Sequence, residues 1–327
     1  MKFKVLKGKK KKGEKMGKTA FIFPGQGSQY VGMGKDFYEN SALCKEIYAK
    51  ASAASGLDVE ALCFEENEQI NITEYTQIAM LATEVAMLRE LEARGIKADV
   101  TAGLSLGEYG ALAAAGVMND EDIFRLVRKR GLYMQEAVPS GGAMAAILAL
   151  ATDKIEEICE QTEGIVSIAN YNCPGQIVIT GEEAAVEAAM EKLKEAGAKR
   201  CMRLNVSGPF HSPMLSGAGE KLGQELANVE VKEMQIPYLA NVTADYVENA
   251  ADVKELLKKQ VSASVKWQQT VEKMIADGVD TFIEIGPGKT LSGFMKKITK
   301  ELGCECKVFN VEKWDDIAAV QEGARVC

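Results

Sequence analysis

Only one histidine, His211, occurs in the 327 residues of this chain. That scarcity leaves a single imidazole for any proton transfer near neutral pH. The eight cysteines, at 44, 63, 159, 173, 201, 304, 306 and 327, contain no CxxC pair. One histidine and no cysteine pair argue against a dedicated zinc site. Cys304 and Cys306 stand two apart on an expected strand, with no second pair to complete a cluster, and the set reads as reduced thiols of a cytoplasmic protein. No run approaches the roughly 18 apolar residues of a membrane span. An apolar signal-type segment is missing from the first residues as well. The expectation is a chain with no membrane partner. Nucleotide loops are also lacking. Gly25-Gln26-Gly27 is followed by Ser28, Gln29 and Tyr30, which breaks GxGxxG, and Gly288-Lys289-Thr290 has Ile283 where a phosphate loop needs glycine.

What remains is a globular composition, 47% hydrophobic, in a chain long enough for one large domain or two smaller ones. The net charge of −8 is unevenly spread: residues 1–18 carry nine lysines and one glutamate, which leaves −16 on the rest. An acidic body argues against nucleic acid as a partner. The run Lys9-Lys10-Lys11-Lys12 reads as a solvated tail ahead of a natural start near Met16.

Against this background one motif stands out, Gly103-Leu104-Ser105-Leu106-Gly107. Residues 98–103 form an apolar, strand-like run. From Leu106 to Ala115 the pattern is helical, with Leu106, Tyr109 and Leu112 on one face. A helix-capping serine after a glycine turn is the plainer reading of GxSxG. Strand, sharp turn and helix together favour a nucleophile elbow, with Gly103 and Gly107 keeping side chains out of the bend. The Leu106 N–H is then the natural first donor to an oxyanion. Serine needs a base to become a nucleophile. If that base comes from this chain and is a histidine, it is His211, set on a loop between Phe210 and Ser212-Pro213.

Further along, residues 19–23 read as a buried strand entering the glycine-rich loop Pro24-Gly25-Gln26-Gly27-Ser28-Gln29, and amphipathic helices run on to about 94. A helix is expected over 120–137, capped by Asn119 or Asp120 and closed by Pro139 and Gly141-Gly142. Next come a strand at 143–150, a helix at 153–162, strands at 166–170 and 176–180, a helix at 182–196 and a strand at 201–206. This β-α-β-β-α-β order is that of a ferredoxin-like unit inserted between Ser105 and His211. Past His211, strands are expected at 237–241 and 281–285 and helices at 253–260 and 267–276.

Several motifs then occur in order: Gly25-Gln26-Gly27-Ser28-Gln29, the elbow with Glu108-Tyr109, Arg130-Gly131, Tyr171-Asn172-Cys173-Pro174-Gly175-Gln176, Phe210-His211-Ser212 and Glu284-Ile285-Gly286-Pro287-Gly288. Each is weak alone. The ordered set, spanning about residues 19–311, closely resembles the malonyl-CoA:acyl carrier protein transacylases of bacterial fatty-acid synthesis. Acyltransferase domains of polyketide synthases are the nearest confusion. The resemblance implies an α/β-hydrolase-like core at 19–138 and 208–315, a ferredoxin-like subdomain at 139–207, a lysine-rich tail at 1–18 and a C-terminal tail at 316–327. It implies malonyl transfer through Ser105 with His211 as base and then acid. Oxyanion donors would be the N–H groups of Leu106 and Gln26, Arg130 would hold the malonyl carboxylate, and the carbonyl of Gln260 would orient the imidazole. The substrates implied are malonyl-CoA and the phosphopantetheine arm of acyl carrier protein, with no bound cofactor or metal.

Leu104 departs from the family, which usually has histidine there. The resemblance to polyketide acyltransferases, in which phenylalanine just before the histidine accompanies malonyl selection, implies that Phe210 favours malonyl over methylmalonyl. Lys199-Arg200 and Lys296-Lys297 are candidate basic patches for an acidic carrier. A serine thioesterase or esterase remains an alternative; Arg130 is the residue such an enzyme does not need. A non-catalytic docking module is disfavoured by the intact Ser105 and His211.

Overall fold

The computed structural model describes residues 17–206 and 208–323, so the lysine run at 9–12 lies outside the described residues, as does Cys327. Down the chain come β1 (Lys18–Phe23), α1 (Lys35–Asn40), α2 (Ala42–Ser55), α3 (Val59–Phe64) and α4 (Thr73–Ala93). Then follow β2 (Val100–Gly103), α5 (Gly107–Ala114), α6 (Asp120–Ala137), β3 (Gly142–Leu148), α7 (Thr152–Glu160), β4 (Val166–Cys173), β5 (Gln176–Glu182), α8 (Glu183–Glu195) and β6 (Arg200–Arg203). The last part holds α9 (Ser216–Ala227), α10 (Val253–Gln260), α11 (Trp267–Ala276), β7 (Val279–Ile285), α12 (Thr290–Leu302), β8 (Lys307–Val311) and α13 (Asp316–Gly323). This is an α/β fold with two four-stranded sheets.

The first sheet has the order β2-β1-β7-β8, and all three pairings are parallel. Strands β1, β2 and β7 are largely buried on both faces, as parallel strands covered by helices are, whereas edge strand β8 is only partly buried. Alternation along β1 divides the core: Phe21 and Phe23 join the cluster built on α2, α4, α5 and α6, whereas Ala20 and Ile22 join Trp267, Met274, Leu291 and Met295 of α11 and α12. The second sheet has the order β4-β5-β3-β6 and is antiparallel throughout. One of its faces, with Ala145, Ile147, Ile168 and Ile179, packs on Ile155, Val186 and Leu193 of α7 and α8. The alternate residues Met144, Ala146, Asn170 and Val178 face a cavity shared with the first sheet. The two units are tied where Val265 bonds to β4, through Tyr171 N–H to Val265 O and Val265 N–H to Ala169 O.

Four expectations need correction. Residues 237–241 form no strand but two isolated bridges, Thr101 to Tyr238 and Leu239 to Tyr246. Pro237 has no N–H for a ladder, and the chain turns back at Ala240 toward Asp245. The strand expected at 201–206 ends at Arg203, and Leu204, Asn205 and Val206 leave the sheet to line the cavity. Cys304 and Cys306 lie on the connection before β8, because three residues separate the Gly303 cap of α12 from the start of the ladder at Lys307. The expected tail at 316–327 begins with α13, whose Ile317 and Val320 are buried. At the other end β1 starts at Lys18, bonded to Gly278 O.

Candidate active site

The elbow sits at the carboxyl ends of the two parallel strands β1 and β2. Ser105 has φ 54°, a left-handed conformation unusual for a residue with a side chain. Both glycines are required by contact. A Cβ on Gly103 would meet Gly107 O at 1.9 Å, and one on Gly107 would meet Phe23 O at 2.2 Å. The turn is held open from outside: Asn241 accepts from the Ser105 N–H through Oδ1 at 2.6 Å and donates through Nδ2 to Gly103 O at 2.6 Å. Leu104 lines the cavity and abuts the glycine-rich loop, where a Cβ on Gly25 would meet its Cδ2 at 2.7 Å.

His211 also has positive φ, 59°, in the loop between Phe210 and Ser212. Its Nε2 lies 2.7 Å from Ser105 Oγ and its Nδ1 lies 2.8 Å from Gln260 O. A carbonyl only accepts, so Nδ1 carries the proton and Nε2 is left as the acceptor for the serine hydroxyl. The ring is 4% exposed. Burial, and then the nearby Arg130 cation, push its pKa down to about 4, against the weaker opposing pull of the Gln260 and Ala263 backbone. The imidazole is therefore neutral, and able to accept a proton, across the physiological range.

Arg130 comes from α6 but is not part of a solvated basic face. It is 1% exposed. Its Nη1 donates to Gln77 Oε1 at 2.7 Å, and its Nη2 donates to Ser105 Oγ at 3.1 Å and to Gln260 Oε1 at 3.0 Å. Its Nε–H has no acceptor, and no carboxylate pairs with it among the described residues. Burial lowers its pKa, partly offset by Tyr109 and Glu108. A guanidinium so placed is a desolvated cation beside Ser105 Oγ with no carboxylate hydrogen-bonded to it among the described residues.

Gln26 lies on the loop after β1, its side chain donating to Thr73 Oγ1 at 3.0 Å. The main-chain N–H groups of Gln26 and Leu106 make no hydrogen bond to another described residue. Free N–H groups beside a nucleophile at a helix start are where an oxyanion is received. Ser105, His211, Arg130 and Gln26 all open into one cavity of about 650 Å³ between the two sheets, with Phe210, Met134, Asn172 and Gln176 in its wall. Lys199, Arg200 and Lys296 are exposed, whereas exposed Lys297 is engaged by Gln176 Oε1 at 3.0 Å, bridging the two units. No group of three or more His, Cys, Asp or Glu among the described residues is arranged to hold a metal ion, and no helix among them is long and apolar enough to cross a membrane.

Sequence reasoning did not assign three further polar residues: Gln77, which holds Arg130; Asn241, which clamps the elbow; and Glu108, buried under it. Their partners are 53, 136 and up to 152 residues away in the chain, so no local pattern marks them. A charged residue inside the otherwise apolar elbow helix was the one available signal for Glu108.

The acyl transferase domain family matches residues 20–317. The chain belongs to that family. The malonyl CoA-acyl carrier protein transacylase of Bacillus subtilis (strain 168) is 46% identical over 292 residues, which is 88% of this chain and 92% of the relative. A solved malonyl CoA-acyl carrier protein transacylase from Clostridium perfringens superposes with TM-score 0.89 at 46% identity, covering 93% of this chain and 96% of that one. A malonyl-transacylase solved in complex with a type II PKS acyl-carrier protein, PlMCAT:AntF, matches with TM-score 0.89 at 38% identity, over 93% of this chain and 99% of that one. The family these names give is the one to which the ordered motifs point.

Proposed function

We propose that the chain transfers a malonyl group from malonyl-CoA to the phosphopantetheine thiol of acyl carrier protein, through a malonyl-Ser105 intermediate, in fatty-acid synthesis. The observation that carries this reading is Arg130, a buried cation with no carboxylate hydrogen-bonded to it among the described residues, 3.1 Å from the nucleophilic oxygen. A malonyl thioester brings the missing carboxylate into that position, and charge-assisted hydrogen bonding favours it over acyl groups without one.

In the first half-reaction His211 Nε2 takes the Ser105 proton as Oγ attacks the thioester carbonyl. The N–H groups of Leu106 and Gln26 receive the oxyanion. As the tetrahedral intermediate collapses, the coenzyme A sulfur leaves and takes the proton from His211. Because the site holds the imidazole pKa near 4, the imidazolium formed in passing is a strong acid and returns its proton readily. The Gln260 carbonyl orients the ring in place of a carboxylate, so the pair acts as a dyad. In the second half-reaction the carrier's thiol gives its proton to His211 and attacks the ester; Ser105 Oγ leaves, takes that proton back from His211, and the carrier departs as the malonyl thioester. No cofactor enters either step.

The family relationship and the solved carrier complex of a relative support acyl carrier protein as acceptor. Exposed Lys199 and Arg200 suit its acidic surface; charge reversal there should raise the carrier KM and flatten its salt dependence, and an unchanged KM removes them from the interface. The fold supports a finer reading too. A parallel sheet with its serine turn after β2 suits an α/β-hydrolase-like core at 19–138 and 208–315. The edge-to-edge order β6-β3-β5-β4 with β-α-β-β-α-β connectivity suits a ferredoxin-like subdomain at 139–207. The discriminating experiment is discharge of preformed malonyl-enzyme. Release to holo-carrier much faster than to water supports the transferase; equal rates indicate a thioesterase.

A further inference from the structure

We propose that Glu108 is a positioning residue of this reaction: its buried carboxyl joins the two segments that hold the nucleophile and the base. Glu108 lies in the first turn of α5 and is fully buried. Its Oε2 accepts from the Asn241 main-chain N–H at 3.2 Å and from Gln260 Nε2 at 2.8 Å. Each donor leads directly to the dyad. Asn241 clamps the elbow through the Ser105 N–H and Gly103 O. Gln260 donates from the same Nε2 to Ser105 O at 2.8 Å, accepts from Arg130 at Oε1, and presents its main-chain oxygen to His211 Nδ1.

One oxygen therefore ties the loop at 241 and the end of α10 to the helix that follows the serine turn. Residues 108, 241 and 260 are distant in sequence, and each would have other rotamers or backbone positions without this shared acceptor. A buried carboxyl is costly unless its hydrogen bonds are made. Here the second oxygen, Oε1, has no partner among the described residues, so the group is kept at a cost that packing alone does not require. Its role falls on the reacting geometry and not on the malonyl carboxylate: Glu108 is not among the residues that line the cavity, whose wall contains Ser105, His211 and Arg130.

This inference rests on the dyad reading above, and its test uses a probe that needs no malonyl recognition. A fluorophosphonate reacts with an activated serine: the Oγ–P bond forms, fluoride leaves and the hydroxyl proton passes to His211. Glu108→Leu keeps the approximate size but removes the oxygen that accepts from both the Asn241 N–H and Gln260 Nε2. We expect labelling of Ser105 and the kcat for malonyl transfer to fall together by about 10–100-fold, since two buried donors are left without their acceptor, with the malonyl-CoA KM within about threefold of wild type, as for an interaction lost only in the transition state. Glu108→Asp keeps the carboxyl group but is one methylene short, and it should lose about tenfold in labelling while retaining the wild-type circular dichroism spectrum. This variant decides the matter if the leucine protein does not fold. A wild-type labelling rate in either folded variant overturns the proposal, as does a loss confined to KM. If wild type labels but forms no malonyl adduct, the malonyl reading fails while the positioning role of Glu108 is still decided by the labelling rates.

Discussion

Replacing Arg130 by alanine separates recognition of the acyl group from chemistry at the serine. The guanidinium does three things in the resting site: it braces Gln77, it braces Gln260 and it donates to Ser105 Oγ. Losing these slows every thioester alike. Only malonyl also loses a carboxylate partner, so the ratio of kcat/KM for malonyl-CoA over acetyl-CoA cancels the shared losses. A charge-assisted pair is worth about 1.5–3 kcal/mol, or roughly 10–100-fold in that ratio. Because the cation is buried and no carboxylate is hydrogen-bonded to it among the described residues, the upper half of the range is expected. Arg130→Lys should retain part of the preference, since an ammonium supplies charge but not the planar pair of donors. The assay is steady-state transfer of each acyl group to holo-carrier, with thermal midpoints measured in parallel. A ratio unchanged in Arg130→Ala, in a protein that still turns over, would refute the assignment.

Other consequences follow from the same geometry. The His211 pKa falls from an ordinary 6.5 to about 4 in the fold, so between these values the unfolded chain binds a proton that the native protein does not. Its contribution is present in full above pH 6.5 and is lost as pH falls through 4; moving from pH 7 to 4.5 should cost wild type roughly 2–3 kcal/mol more than His211→Gln in urea melts, and equal losses contradict the burial argument. Gly107→Ala drives a Cβ to within 2.2 Å of Phe23 O; a loss of about 1–3 kcal/mol or more and slower adduct formation are expected, and a wild-type melt would show that the elbow has slack. Phe210 lines the cavity beside His211; Phe210→Ala should raise the methylmalonyl-to-malonyl turnover ratio by about tenfold, whereas an unchanged ratio excludes it as the size filter.

The elements legible in the sequence were those with local signals. Helix α6 begins at the Asn119 cap and ends at 137 as its pattern requires, and α10 and α11 match their expected ranges. The β-α-β-β-α-β order was readable from turn residues and alternation, although the pairing order was not. What escaped was set by distance. Helix α4 is buried on nearly all sides, so amphipathic periodicity is weak there and the buried Gln77 was invisible as a site residue. Residues 237–241 carry strand-like side chains, but Pro237 and the turn at Ala240 stop the ladder. Ser105, His211, Arg130 and Gln260 come together as the motifs suggested. The network behind them, through Glu108 and Asn241, depends on hydrogen bonds that span more than 130 residues.

The most direct test of the account is intact-protein mass after brief mixing with malonyl-CoA, for wild type and Ser105→Ala. A single malonyl adduct on wild type, absent from the folded alanine variant, is the predicted result. No adduct on folded wild type, or the same adduct on Ser105→Ala, would contradict the claim that Ser105 carries the acyl group.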